Sequence, residues 1–340
     1  MTFILGRRDV LSGFAATAAS AVLPAATRAQ APAKPGRIDV HRHFTPPGYV
    51  VDPVRTHLND RSTLARQLED MDRGGVALAV TTIVVPDIKL PDKDAARKFS
   101  RMANEYAAKL RADYPGRFGN FADLPFPDVD GTLKEIEYAF DALKADGVFL
   151  RTNYEDKFLG DPVFNPVFEE LNRRHAVLYT HPTSHPCCVR LVPGLRDADI
   201  EYGTNTTRAI AKMVFSGASR RYPNMRVIWS HAGGTMPFLV RRFIKRVVES
   251  PEFQPVLPEG FLPEARKFYY DVAQAPDAPA MASLKAVVPV SRILFGTDWP
   301  YLTTEEHVRG LEKSGVFSEA ELAAIGRDNA LKLLPTLKPA

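Results

Sequence analysis

A single rhythm constrains how this chain can fold. Short apolar runs rich in β-branched and aromatic residues alternate with longer amphipathic stretches, and the pair recurs eight times. Strands are expected over Arg37–Phe44, Val76–Val84, Phe118–Leu124, Gly147–Thr152, Ala176–His181, Arg226–His231, Phe268–Ala273 and Ile293–Asp298. Helices are expected over Leu64–Arg73, Asp94–Tyr114, Gly131–Ala145, Pro162–Arg174, Asn205–Arg221, Met236–Val248 and Ala278–Val287, with two more near Glu305–Lys313 and Ser318–Leu334. In Gly131–Ala145, for example, Leu133, Ile136, Phe140 and Leu143 recur at three- and four-residue steps, giving one apolar face. The strands read as nearly continuous apolar runs, as strands buried on both faces do. Eight such units without an intervening linker predict one closed (β/α)8 barrel of TIM type over residues 37–337; a doubly wound open sheet is the competing architecture.

The polar residues of these strands cluster at their carboxyl ends. Strand one ends Asp39-Val40-His41-Arg42-His43, and residues two apart in an extended chain project to one face, so His41 and His43 point together. Strand five ends Thr180-His181-Pro182, strand six Ser230-His231-Ala232-Gly233-Gly234, and strand eight Gly296-Thr297-Asp298-Trp299-Pro300. In a (β/α)8 barrel all strand carboxyl ends meet at one rim, where active sites are built. Four histidines and one aspartate from four distant segments thus converge, which predicts a metal centre held by His41, His43, His181 and Asp298, with His231 a ligand or an acid/base beside it. Imidazole and carboxylate ligands suit Zn²⁺, with Mn²⁺, Fe²⁺ or Co²⁺ as alternatives. Asp39 either caps the strand entry or orients a histidine. Phe44, Trp229 and Trp299 are candidate walls for a flat ring, with packing in the barrel or its rim as the alternative for each, and Arg151 and Asn153 are candidate polar groups of the pocket. His175 reads as a structural residue at a helix end, His57 and His307 as surface residues, and His185 as either pocket wall or solvent-exposed.

Composition narrows the partners. The net charge is +4, and Arg7, Arg8 and Arg28 against Asp9 account for half of it. No basic block remains to neutralise a row of phosphates, so a nucleic-acid partner is not expected. Residues 1–29 read as a twin-arginine export signal: Arg7-Arg8, an Ala-rich apolar stretch from Val10 to Ala26, and small residues at Thr27 and Ala29 for cleavage. With residues 30–36 as a linker, the mature chain is expected in the periplasm. No other apolar run approaches the ~20 residues of a membrane span. The two cysteines, Cys187 and Cys188, are adjacent and are expected to be free residues of a loop, with a vicinal disulfide as the alternative in an oxidising compartment.

These motifs together resemble the amidohydrolase-related group of aminocarboxymuconate-semialdehyde decarboxylase, over most of residues 37–335. Ala145–Tyr154, Leu159-Gly160-Asp161-Pro162, Phe168-Glu169-Glu170-Leu171 and His181–Cys188 look most like its 6-methylsalicylate decarboxylase branch. The resemblance implies a homodimer and a single divalent metal on His41, His43, His181 and Asp298, with His231 as acid/base. It also implies a substrate-binding arginine from the neighbouring subunit, here Arg242, and a second after strand one, for which Arg55 and Arg61 are candidates. The expected reaction is non-oxidative decarboxylation of an aromatic or unsaturated acid. Two other readings use the same ligands: metal-dependent hydrolysis of a lactone, ester or amide, and non-catalytic binding of a metal or solute.

Overall fold

A computed structural model describes residues 36–46, 60–83 and 92–339. Eight strands follow one another in chain order around a single sheet: β1 (Arg37–Phe44), β2 (Val76–Ile83), β3 (Phe118–Asp123), β4 (Gly147–Arg151), β5 (Val177–His181), β6 (Arg226–Trp229), β7 (Tyr269–Asp271) and β8 (Ile293–Leu294). All neighbouring pairs are parallel. The ring closes between β8 and β1. Val40 N–H donates to Phe295 O at 3.0 Å, Asp298 N–H to His41 O at 2.8 Å and His43 N–H to Trp299 O at 3.1 Å. Each strand leads to a helix: α1 (Leu64–Gly74), α2 (Lys93–Asp113), α3 (Val129–Asp141), α4 (Asn165–Arg173), α5 (Asp197–Phe215), α6 (Met236–Glu249), α7 (Ala278–Val287) and α8 (Thr304–Ser314). This is the expected (β/α)8 barrel.

Two apolar layers hold it together. Ile38, Leu78, Val80, Phe121, Phe149, Tyr179, Ile228 and Leu294 fill the barrel interior, and Leu333, Leu334 and Leu337 join them. Residues of opposite parity, among them Ala79, Val148, Leu150, Leu178, Val227 and Trp229, pack outward with Met71, Ile136, Leu171 and Met213 of the helices. Trp229 is fully buried there against Phe268, so it is a core residue and not the wall of a pocket. Phe44 alternates with His43 and packs in this same outer layer beside Tyr106 of α2.

Several element boundaries depart from expectation, three of them for a visible local reason. Helix α5 starts at Asp197, eight residues early, because its first turns are polar and show no apolar stripe; Arg196 and Asp199 cap it. The stretch after it breaks at Gly217, which takes φ 74°, a left-handed conformation that favours glycine. The ladder of β8 ends at Leu294, although Phe295–Trp299 still bond to β1, and Asp298 turns the chain with φ 60°.

Candidate metal centre

Strand β1 carries a register irregularity between Asp39 and Arg42. Such a shift re-aims the side chains beyond it. Val40 therefore stays in the barrel interior while His41 and His43 both turn to the rim. Arg42 faces the other way, fully buried, and donates to Asp39 (3.2 Å), Asp70 (2.8 Å) and Thr304 (3.2 Å), which ties β1 to α1 and α8. Asp39 also accepts the Thr297 hydroxyl at 2.7 Å and its amide at 3.1 Å. Asp39 therefore pins the seam of the barrel and holds no histidine ring.

At the rim, His41, His181, His231 and Asp298 each offer one ligand atom, and these atoms lie within 4.8 Å of one another. Asp298 Oδ1 stands 3.1 Å from His41 Nε2, 2.9 Å from His43 Nε2 and 3.8 Å from His181 Nε2; Oδ2 stands 3.4 Å from His231 Nε2. His43 thus adjoins the four through Asp298 and packs its ring 5.2 Å from His41 and 5.1 Å from His181. All five strand-end side chains come together, with His231 and not the expected His43 among the four whose ligand atoms converge.

The outer ring nitrogens show why this set fits a cation. His41 Nδ1 bonds Asp271 Oδ2 at 2.9 Å, His43 Nδ1 bonds the Thr82 hydroxyl at 2.9 Å, and His181 Nδ1 bonds Pro182 O at 2.9 Å. Each bond fixes its ring with Nε2 directed at the cluster. Inside, His41 Nε2 and His181 Nε2 are buried and have no partner in hydrogen-bonding geometry. Buried ring nitrogens without hydrogen-bond partners, beside two buried carboxylates, match a metal ion's demand.

The electrostatics are those of a site that takes up positive charge. Burial opposes the charge on His41, but Asp271 and Asp298 outweigh it and raise its pKa to about 10. His181 is driven down to about 3, chiefly by burial and then by the neighbouring histidines. Burial works to raise Asp298, yet His41 and the bonds from His181 and His231 hold it well below the usual carboxylate range. The carboxylate is available as a ligand.

Two contributors come from β7 and the turn after it, where no histidine draws notice in the sequence. Asp271 is fully buried and braces His41, and Gln274 donates its side-chain amide to Asp298 Oδ2 at 2.9 Å. The Gln274 backbone amide in turn donates to His307 Nε2 at 3.0 Å. His307 is therefore not the surface residue expected; it is fully buried, and burial lowers its pKa to about 4. Its neighbours Glu305 and Glu306 face outward, which hid the inward side of α8.

The remaining expected residues are distributed around this centre. Arg151 pairs in register with His181 across β4 and β5 and stands at the same rim. Asn153 is buried in the short hairpin that follows. Trp299 is buried beneath the guanidinium groups of Arg42 and Arg61, 4.8 and 5.3 Å from its ring. Arg61 is thus near the rim, whereas Arg55 and His57 lie outside the described residues. Arg242 is exposed on α6. His175 takes φ 53° just beyond α4 and is exposed, in keeping with a helix-end role. His185 stacks on Phe158 at 5.3 Å, half-buried. Cys187 and Cys188 are joined in a disulfide and are not free thiols; the turn Pro186–Cys188 brings the two sulfurs together.

Comparison with known proteins agrees with this architecture. Residues 38–336 match the amidohydrolase family. The decarboxylase yanB of Aspergillus niger is 36% identical over 323 residues, covering 88% of this chain and 87% of the relative. The 6-methylsalicylic acid decarboxylase of Penicillium expansum is 32% identical, covering 89% and 97%. Among solved structures, the 2,6-dihydroxybenzoate decarboxylase from Rhizobium superposes with TM-score 0.80 at 23% identity, covering 88% and 99%. A dihydroxybenzoic acid decarboxylase from Polaromonas, solved with bound manganese and the inhibitor 2-nitroresorcinol, gives 0.78 at 23%, covering 89% and 98%. These two share the fold. With a rim cluster of imidazoles and a carboxylate on a (β/α)8 barrel, and with a family match over nearly all of that barrel, this chain belongs to the amidohydrolase family.

Proposed function

We propose that this protein is a metal-dependent, non-oxidative decarboxylase of aromatic carboxylic acids of the salicylate type. The observation that carries the reading is the set of inward, donor-free imidazole nitrogens around Asp298, in a chain whose relatives above 30% identity are named decarboxylases. Zn²⁺ is our choice for the native ion, since three imidazoles and one carboxylate without thiolate suit it; Mn²⁺, bound by the Polaromonas relative, is the alternative.

His41, His181 and Asp298 would hold the ion, with His43 completing the set and His231 left beside it as the acid/base. When bound, it acts as a Lewis acid on an oxygen of the substrate carboxylate or adjacent hydroxyl. Arg151 binds a substrate carboxylate or hydroxyl, orienting the ring over the cluster. His231 and Asp298 hold one proton between Nε2 and Oδ2 and deliver it to the ring carbon bearing the carboxylate. That carbon becomes tetrahedral, its bond to the carboxylate breaks, and the electron pair restores the aromatic ring as CO₂ departs. The carboxylate anion takes up one proton and yields arene and CO₂.

We further propose that α6 meets a second copy of the chain, so that Arg242 serves the neighbouring subunit's substrate. Phe238 is 83% exposed one turn before Arg242, and Arg242 has no ion-pair partner among the described residues. Light scattering checks this, since a monomer would remove the role of Arg242. Export through the twin-arginine pair is the proposed route to the periplasm. Cell fractionation checks it: replacing Arg7 and Arg8 by lysine should trap the protein in the cytoplasm.

A mass-spectrometric screen of hydroxybenzoic acids and lactones tests the reaction. Loss of CO₂ from salicylate-type acids supports it. Addition of water to lactones, with no acid losing CO₂, would establish the hydrolase reading instead.

A further inference from the structure

We infer that Asp271, at the end of β7, is a positioning residue that sets both the tautomer of His41 and the backbone of His231. The inference rests on the metal-binding reading of the rim cluster. Asp271 is fully buried and each of its oxygens has a separate task. Oδ2 faces His41 Nδ1 at 2.9 Å and accepts the Tyr179 hydroxyl at 3.2 Å. Oδ1 accepts the backbone N–H of His231 at 2.9 Å and of Ala273 at 3.0 Å.

A carboxylate can only accept, so the proton between Asp271 and His41 belongs to Nδ1. His41 Nε2 is then the nitrogen left to take an ion in place of a proton, and it is the buried atom directed at Asp298 without a hydrogen-bond partner. The second task concerns a strained turn. His231 and Ala232 take φ 53° and 56°, the left-handed region that residues other than glycine avoid. The bond from His231 N–H to Asp271 Oδ1 helps to hold that turn, together with the bond from Gly234 N–H to His231 O at 2.8 Å. One side chain thus aligns a ligand on β1 with the acid/base histidine after β6.

Asp271→Asn separates positioning from bulk, because the amide is nearly isosteric. Its carbonyl must stay toward the two backbone donors, since the reverse orientation would set an NH₂ group against two N–H groups. The NH₂ group therefore faces His41 Nδ1, which must now accept, and the ring proton moves to Nε2, where it blocks the metal.

The experiment is competition of the metal-stripped protein against a chromophoric chelator for Zn²⁺ and Mn²⁺, alongside the melting temperature of the metal-free forms. We expect D271N to melt close to the wild type when metal-free and to bind either ion about 10- to 100-fold more weakly. Affinity within twofold of the wild type would overturn the inference, whereas a wild type that binds neither ion would overturn the metal reading itself. Should D271N not fold, zinc-loaded wild type labelled with ¹⁵N-histidine decides. A proton on Nδ1 of His41 with Nε2 bound to zinc supports the inference; zinc on Nδ1 overturns it.

Discussion

His43 Nε2 lies 2.9 Å from Asp298 Oδ1 across 255 residues of chain, at the seam where the first and last strands close the barrel. The centre therefore forms only when the ring closes. Variants of the rim should therefore be read through both metal content and stability.

His181→Ala and His231→Ala separate ligand from acid/base. His181→Ala should lose most of the bound metal and all turnover. His231→Ala should keep much of the metal and still lose turnover, by about 10²-fold or more for a removed proton donor. Elemental analysis beside a CO₂ assay reads both, and equal metal loss in the two variants would make His231 a ligand and remove its acid/base assignment.

Arg151→Gln tests substrate orientation. A charge-assisted contact of this kind is worth about 1.5–3 kcal/mol, so kcat/KM should fall by roughly 10- to 100-fold. Metal content should stay at the wild-type level. An unchanged kcat/KM would remove Arg151 from the pocket.

His307 gives a pH signature. Its folded pKa, about 4, lies below the ordinary value of 6.5, because burial disfavours the charged ring. The unfolded chain thus binds more protons between these values, and stability rises with pH through that window. The contribution is complete above about pH 6.5 and is lost as pH falls toward 4, at most roughly 3 kcal/mol. Chemical denaturation from pH 4 to 7.5 should show a shallower slope for His307→Gln, whose side-chain oxygen still accepts the Gln274 amide; identical slopes would contradict the assignment.

Much of this was legible in the sequence, and the gaps have physical causes. His41, His43, His181, His231 and Asp298 stand out because each ends an apolar run, and barrel topology then brings those ends together. Asp271 ends Tyr269-Tyr270-Asp271 in the same way, but a single carboxylate says nothing until its partner His41 is seen across the barrel. Gln274 and His307 escape for a related reason: their importance comes from tertiary contacts between β7 and α8, and the local pattern around His307 is that of an exposed helix. Trp229 was ambiguous because it adjoins His231 in sequence, while strand alternation turns it outward into the helix layer.

Trp229→Ala should accordingly behave as a core deletion. A cost of about 3–5 kcal/mol is expected for a buried tryptophan. The fraction that remains folded at low temperature should bind metal as the wild type does. Loss of metal without loss of stability would return Trp229 to the pocket.

The most direct measurement is calorimetric titration of the metal-stripped protein with Zn²⁺, in parallel with His41→Ala. One ion per chain for the wild type, with binding severely weakened in the variant, is the predicted result. No binding by the wild type, or equal binding by the two, would contradict the account.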